Sequence, residues 1–305
     1  MNETMPVPCY PDFAPLSMDM KNALHPRLAL TADGVSEFTF SGLYLFRNRY
    51  NYLISRNGTN GGFIVSGEQP ETGHGAAGKF FMTPCEAPDR DTLESLLNTR
   101  GYWKNIPETV IAKSGPQLEE WGIRASEDRD NFDYLHYRSD LAGLAGKKYH
   151  KKKNLVNQFL NAYSHEERPL TRELVPHAME ILEQWRRDKG EDGDFHEAKE
   201  ALERFDALAL RGFIYYAGGK AAAYSLGESI AKGRMFAIHF EKAVDQYRGI
   251  YQFMNQAFAA ALPRFFTFIN REQDLGDKGL RQAKMTYRPS GFVKKYTAGR
   301  PGEAQ

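Results

Sequence analysis

The sequence predicts an α/β protein, helices layered on mixed, mostly antiparallel sheets, in two domains of similar element order. Three observations predict it. At 305 residues the chain exceeds one ordinary domain of about 100–200 residues and suffices for two, each burying its own core. Short β-prone runs bounded by Gly- and Asn-rich turns alternate with amphipathic helical stretches. The same element order runs through both halves without sequence repetition, as in a duplicated fold, and the periods of roughly 20–50 residues that mark a solenoid are absent.

In the first half, Phe40, Leu43, Tyr44, Phe46 and Tyr50 recur at helical intervals and predict a helix within 36–50. "YNYLISRNG", "GGFIVSG" and "GKFFMTPC" predict an antiparallel meander, with "QPETGHGAAG" as a mobile connection. "DRDTLESLLNTRG" opens on acids, closes on Gly and lines up Leu93, Leu96 and Leu97, the pattern of a capped helix. "TVIAK" and "FDYLHYR" add strand-like material. The two glycines of "SDLAGLAG" set a boundary near residue 145, giving domains 1–145 and 146–305.

The second half opens with helices. "KKYHKKKNLVNQFLNAY" puts Tyr149, Val156, Phe159, Leu160 and Tyr163 on one side. Residues 174–188 place Leu174, Ala178, Ile181 and Trp185 in register, and 195–209 follow the Asp194/Glu197 pair of a capping box. A hairpin on Gly218-Gly219, a strand in "GRMFAIHFEKA", a helix ending at Pro263 and a strand in "RFFTFIN" complete the pattern.

Composition narrows the function classes. Lys plus Arg number 40 against 39 Asp plus Glu, so attraction for anions has to come from local clustering. Cys9 and Cys85 stand far apart, the pattern of reduced thiols in a cytoplasmic protein, and no Cys/His group has metal-ligand spacing. No apolar run reaches the ~18 residues of a membrane span, and "MNETMPVPCYPDF" lacks the basic-then-apolar pattern of a signal peptide, so a cytoplasmic protein is expected. No nucleophile elbow of the G-x-S-x-G type occurs.

Three stretches carry candidate chemistry. "INREQDLGDKGLRQAKMTY" (269–287) follows a core-like strand with seven charged residues between Arg271 and Lys284. Glu272, Asp274 and Glu241 supply carboxylates able to take a proton from an acceptor ammonium. Arg271, Arg281 and Lys284 supply cations able to hold phosphate or an oxyanion, and Tyr287 a proton for a leaving group. Against this stands a structural reading, in which the same charges close a loop as a salt-bridge network. "EKAVDQYRGIYQ" places Gly249 at a helix start, where backbone amides suit a phosphate, with Gln246, Arg248 and Tyr251 around it. "GKKYHKKKN" sets five lysines, Lys147, Lys148 and Lys151 among them, into early helical turns, where cations oppose the macrodipole. An anionic ligand compensates them on one reading; acids such as Glu166 and Glu167 do so on the other. His150 and His239 are further base candidates.

Two resemblances sharpen these readings. Gln246-x-x-Gly249-x-Tyr251 resembles the Q/R-x-x-G-x-G/A loop with which GNAT acyltransferases hold the pyrophosphate of coenzyme A, with Tyr251 in place of a small residue. "FDYLHYRSDLAGLAGKKYHKKKNLVNQF", "HFEKA…GIYQFMNQAFA" and "INREQDLGDKGLRQAKMTYRP" together resemble an uncharacterised bacterial family related to the C-terminal soluble domain of phosphatidylglycerol lysyltransferases. That resemblance implies two tandem GNAT-like domains and, as in Fem-type aminoacyltransferases, transfer of an acyl or aminoacyl group from coenzyme A or aminoacyl-tRNA to an amine or hydroxyl, a lipid headgroup included. The C-terminal domain then carries the transfer site, without a metal, and the N-terminal domain supports it or binds the acceptor. The alternatives are a non-catalytic GNAT-like protein holding a nucleotide-bearing or anionic ligand, and a tRNA-binding module built on the lysine helix.

Overall fold

The computed structural model describes residues 7–58, 62–70, 78–84 and 86–301. They divide into two compact units. The first comprises the chain up to Asp133 with Gln273–Arg281 and the C-terminal stretch from Phe292; the second is Tyr134–Glu272 with Gln282–Gly291. The division thus falls at 133/134 rather than near 145, and the tail returns to the first unit, which a linear reading of the chain does not reveal. Within "QPETGHGAAG", residues 71–77 lie outside the described residues, as does Cys85.

In the first unit, β1 (Ala14–Pro15), α1 (Lys21–Leu28) and α2 (Phe40–Phe46) precede the meander β2 (Leu53–Arg56), β3 (Phe63–Gln69) and β4 (Gly78–Met82). The helix expected within 36–50 is real but short, because Thr39 caps it by accepting from Gly42 N. Helix α3 (Arg90–Arg100) is capped as its sequence predicts: Asp89 accepts from Thr92 N. It crosses over to β5 (Tyr102–Pro107), which pairs parallel with β4. "TVIAK" is helical, not strand: it lies in α4 (Glu108–Glu120), where Val110 is buried and Ile111 packs on the core of Ile64, Phe81, Leu93 and Trp103. Burial on one helical face outweighs the β preference of the branched residues. β6 (Arg124–Glu127) follows.

The second unit takes up β7 (Asp133–Tyr137), α5 (Arg138–Gly143) and α6 (His150–Ala162), then β8 (His165–Pro169), α7 (Val175–Lys189) and α8 (Phe195–Glu203). The capping box is not formed at α8: Asp194 makes no side-chain cap and instead accepts from Lys242, itself buried over the Trp185 ring. A buried ammonium gains more from a carboxylate than an exposed helix end does. The hairpin β9 (Arg211–Ala217) and β10 (Lys220–Ile230), then β11 (Met235–Ala243), α9 (Ile250–Ala261) and β12 (Phe268–Asn270) follow as expected. The chain ends in α10 (Lys278–Met285), β13 (Gly291–Val293) and β14 (Lys295–Gly299).

Among the described residues the strands form two seven-stranded sheets, β1-β2-β3-β4-β5-β14-β6 and β13-β7-β12-β11-β10-β9-β8. Each consists of an antiparallel meander, a helical crossover and one parallel pair, β4 with β5 and β11 with β12. Each parallel pair is flanked by an antiparallel strand from elsewhere in the chain, β14 beside β5 and β7 beside β12. Each unit is thus an α/β fold on a mostly antiparallel sheet, the class and the repeated element order that the sequence predicts.

Candidate transfer site

The charge after "RFFTFIN" lies where the second sheet splits. β11 and β12 pair only from Met235–Phe268 to Ala237–Asn270, and β11 then runs on to Ala243 alone on that side. Asn270 initiates the divergence. Fully buried, it turns its Oδ1 onto Glu272 N at 2.7 Å, and Glu272 takes φ 54°. The Asx turn satisfies a backbone donor that the ladder no longer reaches. Tyr134 holds the turn, accepting from Arg271 N at 2.9 Å and donating to Glu272 O at 3.2 Å.

A register shift between Leu226 and Gly227 leaves His239 as an extra residue on β11. Gly227 permits it, since a Cβ there would stand 1.9 Å from Ala237 O. Strict alternation would put Phe236 and Glu241, five residues apart, on opposite faces. The bulge corrects the parity, so that Phe236 meets Phe258 of α9 and Glu241 accepts from Asn255 of α9 at 2.6 Å.

Six sequence-predicted residues, Glu241, Arg271, Glu272, Lys284, Tyr287 and His239, therefore converge in the second unit. Arg271 Nη2 donates to Glu241 Oε2 at 2.5 Å, and its guanidinium stacks on Tyr287 at 4.7 Å, while Nε and Nη1, both buried, reach no hydrogen-bond acceptor. Lys284 Nζ donates to Arg271 O at 2.7 Å. Glu272 Oε1 meets His239 Nδ1 at 2.7 Å, and His239 Nε2 meets Glu228 at 3.1 Å. Burial opposes charge on His239, but the Glu272 charge and hydrogen bonds to both carboxylates outweigh it and raise its pKa to about 10. At neutral pH it is an imidazolium between two carboxylates.

Sequence reasoning passed over three participants. Lys152, taken only as one of a basic run, lays its ammonium 4.0 Å from the Tyr287 ring; burial and the nearby Arg271 lower its pKa to about 8. His136 stands edge-on to Tyr287 with neither ring nitrogen hydrogen-bonded, its pKa pushed down to about 3 by burial, then by Arg271 and Lys284. Glu228 completes the histidine sandwich. Only the position of Lys152, three residues after buried Tyr149 and four before buried Val156, could have signalled an inward lysine; the other two depend on strand register. Burial, then the Glu241 charge, holds Tyr287 protonated with a pKa of about 12, although Arg271 opposes this.

Other predicted residues lie apart from this cluster. Asp274 and Arg281 belong to the first unit, where the structural reading applies: Asp274, fully buried, accepts from Arg281 Nη2 at 2.6 Å and Nε at 3.0 Å, from Arg129 at 3.3 Å and from Gly276 N. Arg281 also binds Asp130 at 2.6 Å. Both are committed to closing the loop. Gly249, with φ 87°, does not open a cradle at its α-carbon: a Cβ there would lie 2.3 Å from Leu155 O and 3.2 Å from Phe159 Cβ, so the close approach is to α6. The Tyr251 phenol turns to the Ala243 backbone and Trp185, with burial raising its pKa to about 12. Gln246 lines a cavity of about 420 Å³ with Glu180, Arg187, Asp188, Lys220 and Asp245; Arg248 is exposed.

The lysine run is divided too. Lys148 pairs with Asp140 at 2.8 Å, Lys147 lines a cavity of about 550 Å³ with His150 and Lys153, and Lys151 is exposed. Glu166 pairs with Arg168 rather than with the lysines. No group of His, Cys, Asp and Glu among the described residues is arranged to hold a metal ion, and no helix among them is long and apolar enough to cross a membrane.

The second unit thus carries a buried Arg–Glu–Tyr cluster where its sheet splits. The sequence profile of the phosphatidylglycerol lysyltransferase C-terminal family matches residues 28–299, and the chain belongs to that family. Membership supports aminoacyl transfer as the general class of activity. No functionally curated protein matches the sequence. Among solved structures, a conserved Bacteroides thetaiotaomicron protein of unknown function is 28% identical with TM-score 0.81, over 94% of this chain and 98% of that one. The C-terminal domain of a protein assigned as a lysylphosphatidylglycerol synthetase from Agrobacterium fabrum (13% identity, TM-score 0.60, 94% and 93% covered) and FemX (9%, 0.55, 94% and 96%) share the fold.

Proposed function

We propose that the protein is an aminoacyltransferase that moves an aminoacyl group from an ester donor, aminoacyl-tRNA in preference to coenzyme A, onto an amine or hydroxyl acceptor, at the split between β11 and β12. The observation that carries this is the buried Arg271 guanidinium, fixed by Glu241 and Tyr287 and left with two unused donors beside Lys152. Such a preorganised cationic group in a low-dielectric site suits the oxyanion of an acyl-transfer intermediate. Glu241 spends both oxygens on Arg271 and Asn255 and so serves to hold the guanidinium. Glu272, partly exposed and backed by His239, takes the proton as the acceptor nitrogen or oxygen bonds to the acyl carbon. As the acyl–oxygen bond breaks, the Tyr287 hydroxyl gives its proton to the leaving ribose oxygen, and the proton held by Glu272 passes through water to the Tyr287 phenolate, restoring both groups.

Coenzyme A is the weaker donor because Gly249 is spent on packing against α6. The neighbouring cavity, lined by Arg187 and Lys220 together with Glu180, Asp188 and Asp245, offers both signs of charge to a donor end that bears phosphate and ammonium. The first unit serves as support or acceptor platform. A thermal-shift panel of coenzyme A, acetyl-coenzyme A, non-hydrolysable aminoacyl-tRNA analogues and lipid headgroups tests the reading. At 100 times its dissociation constant a true donor adds about 2.7 kcal/mol of stability, and Arg271→Met should abolish a shift produced by the tRNA analogue. Stabilisation by coenzyme A alone would overturn the donor assignment.

A further inference from the structure

We infer that the opposite end of the same sheet carries a docking surface for single-stranded nucleic acid, built from Tyr137, Arg234, Arg264 and Phe265 with Lys232 and Arg138. The backbone brings these residues together: Arg138 N donates to Thr267 O at 3.0 Å, and Thr267 N to Arg234 O at 2.9 Å. Segments 134–139, 230–238 and 259–269 contribute four cations and not one Asp or Glu, in a chain whose overall charges nearly cancel. None of the four forms an ion pair among the described residues, and Arg138 spends one hydrogen bond on the neutral Ala259 carbonyl. The acids nearest in sequence are engaged elsewhere, Asp133 by Lys295, Asp140 by Lys148, and Glu228 and Glu272 by His239. An acid-free group of unpaired cations complements a polyanion.

The aromatic residues decide which polyanion. Phe265 is 66% exposed and Tyr137 44%. Each ring is backed by another, Tyr137 by Phe268 at 4.9 Å and 26°, Phe265 by Phe266 at 4.4 Å. Supported ring faces among cations are the arrangement on which unpaired bases stack while the backbone is neutralised. An anionic bilayer would draw on the same charges, but it gains from a broad apolar area, and two rings supply little. The surface is distinct from the transfer site. Arg234, immediately before β11, and Glu241, near the far end of that strand, are about 20 Å apart at roughly 3.3 Å per residue with the bulge at His239 discounted. The inference therefore stands or falls independently of the proposed chemistry.

Fluorescence anisotropy of the full chain with labelled 12-mers of oligo(U) and oligo(dT), the same length of duplex, and vesicles of 30% phosphatidylserine tests it. The single strands are expected to bind in preference to duplex. Phe265→Ala and Tyr137→Leu should each weaken single-strand binding about 5-fold or more, as expected for loss of one stacked base. Arg234→Gln with Arg264→Gln should reduce the slope of log K against log salt by about 1.4, at roughly 0.7 per phosphate on single strands. All the substitutions are at exposed positions, and circular dichroism checks that each variant is folded. Absence of oligonucleotide binding by the parent at 50 mM salt, binding indifferent to these four substitutions, or vesicle binding that alone depends on them, would each overturn the inference.

Discussion

Glu272 and Asp274 stand two residues apart and answer to different demands. Asp274 is fully buried among Arg281, Arg129 and a backbone amide, so Asp274→Asn removes the buried charge that both guanidinium groups share and should cost roughly 3–5 kcal/mol in chemical denaturation. Glu272 keeps an exposed edge, and Glu272→Gln should leave the fold cooperative while lowering turnover about 100-fold, once a donor is in hand. The two histidines predict a stability optimum. His136 is neutral when folded with a pKa of about 3, below the ordinary 6.5, so its contribution is present above pH 6.5 and lost as pH falls toward 3. His239 has its pKa raised to about 10, so its contribution is complete below pH 6.5 and lost as pH rises through 10. Urea midpoints across pH 4–10 should therefore peak near 6.5, with His136→Asn flattening the acid limb and His239→Gln the alkaline one. If Lys152 acts as an ammonium, turnover should fall as pH rises through about 8, and Lys152→Arg should move that limb upward.

Elements meet their neighbours through single residues here. Helix α9 docks on α6 only because Gly249 leaves room for the Leu155 carbonyl. Gly249→Val adds both a clash and a left-handed φ, and should destabilise by about 2–4 kcal/mol in urea; a stable variant would show that α6 can move aside. The bulge at His239 has similar standing on β11. Without the extra residue, every side chain beyond it would exchange faces, taking Glu241 away from Arg271. The run "TVIAK" shows the reverse case, in which a local β preference yields to a helical face that a core can use.

On the scale of the whole chain, the C-terminal stretch is integral to the first sheet. β14 lies between β5 and β6, and Lys295, completely buried, binds Asp133 at 2.7 Å with Glu37 as second partner. Truncation after Ser290 should therefore yield insoluble or molten protein, visible as loss of near-ultraviolet dichroism and of a cooperative unfolding transition. Substitution of Lys295 by Met leaves two buried carboxylates without their cation and should be nearly as damaging.

Helices α2, α3, α6, α7, α8 and α9, the meanders, the hairpin on Gly218-Gly219 and the charged stretch after β12 were legible in the sequence because each rests on local periodicity, capping or turn chemistry, whereas α4 was read as strand. The resemblance carried by the blocks that begin at Phe132, His239 and Ile269 likewise pointed to the family. The sequence alone also brought Glu241, Arg271, Glu272, Lys284 and Tyr287 forward as candidates. Only the tertiary structure decided that Asp274 and Arg281 form a clasp, that Gly249 serves packing, and that Lys152, His136 and Glu228 join the cluster. Those assignments depend on strand register, on a one-residue bulge and on which side chains lose water, all set by contacts between residues far apart in the chain. Local pattern specifies an element and its buried face; it does not specify which charge that face will meet.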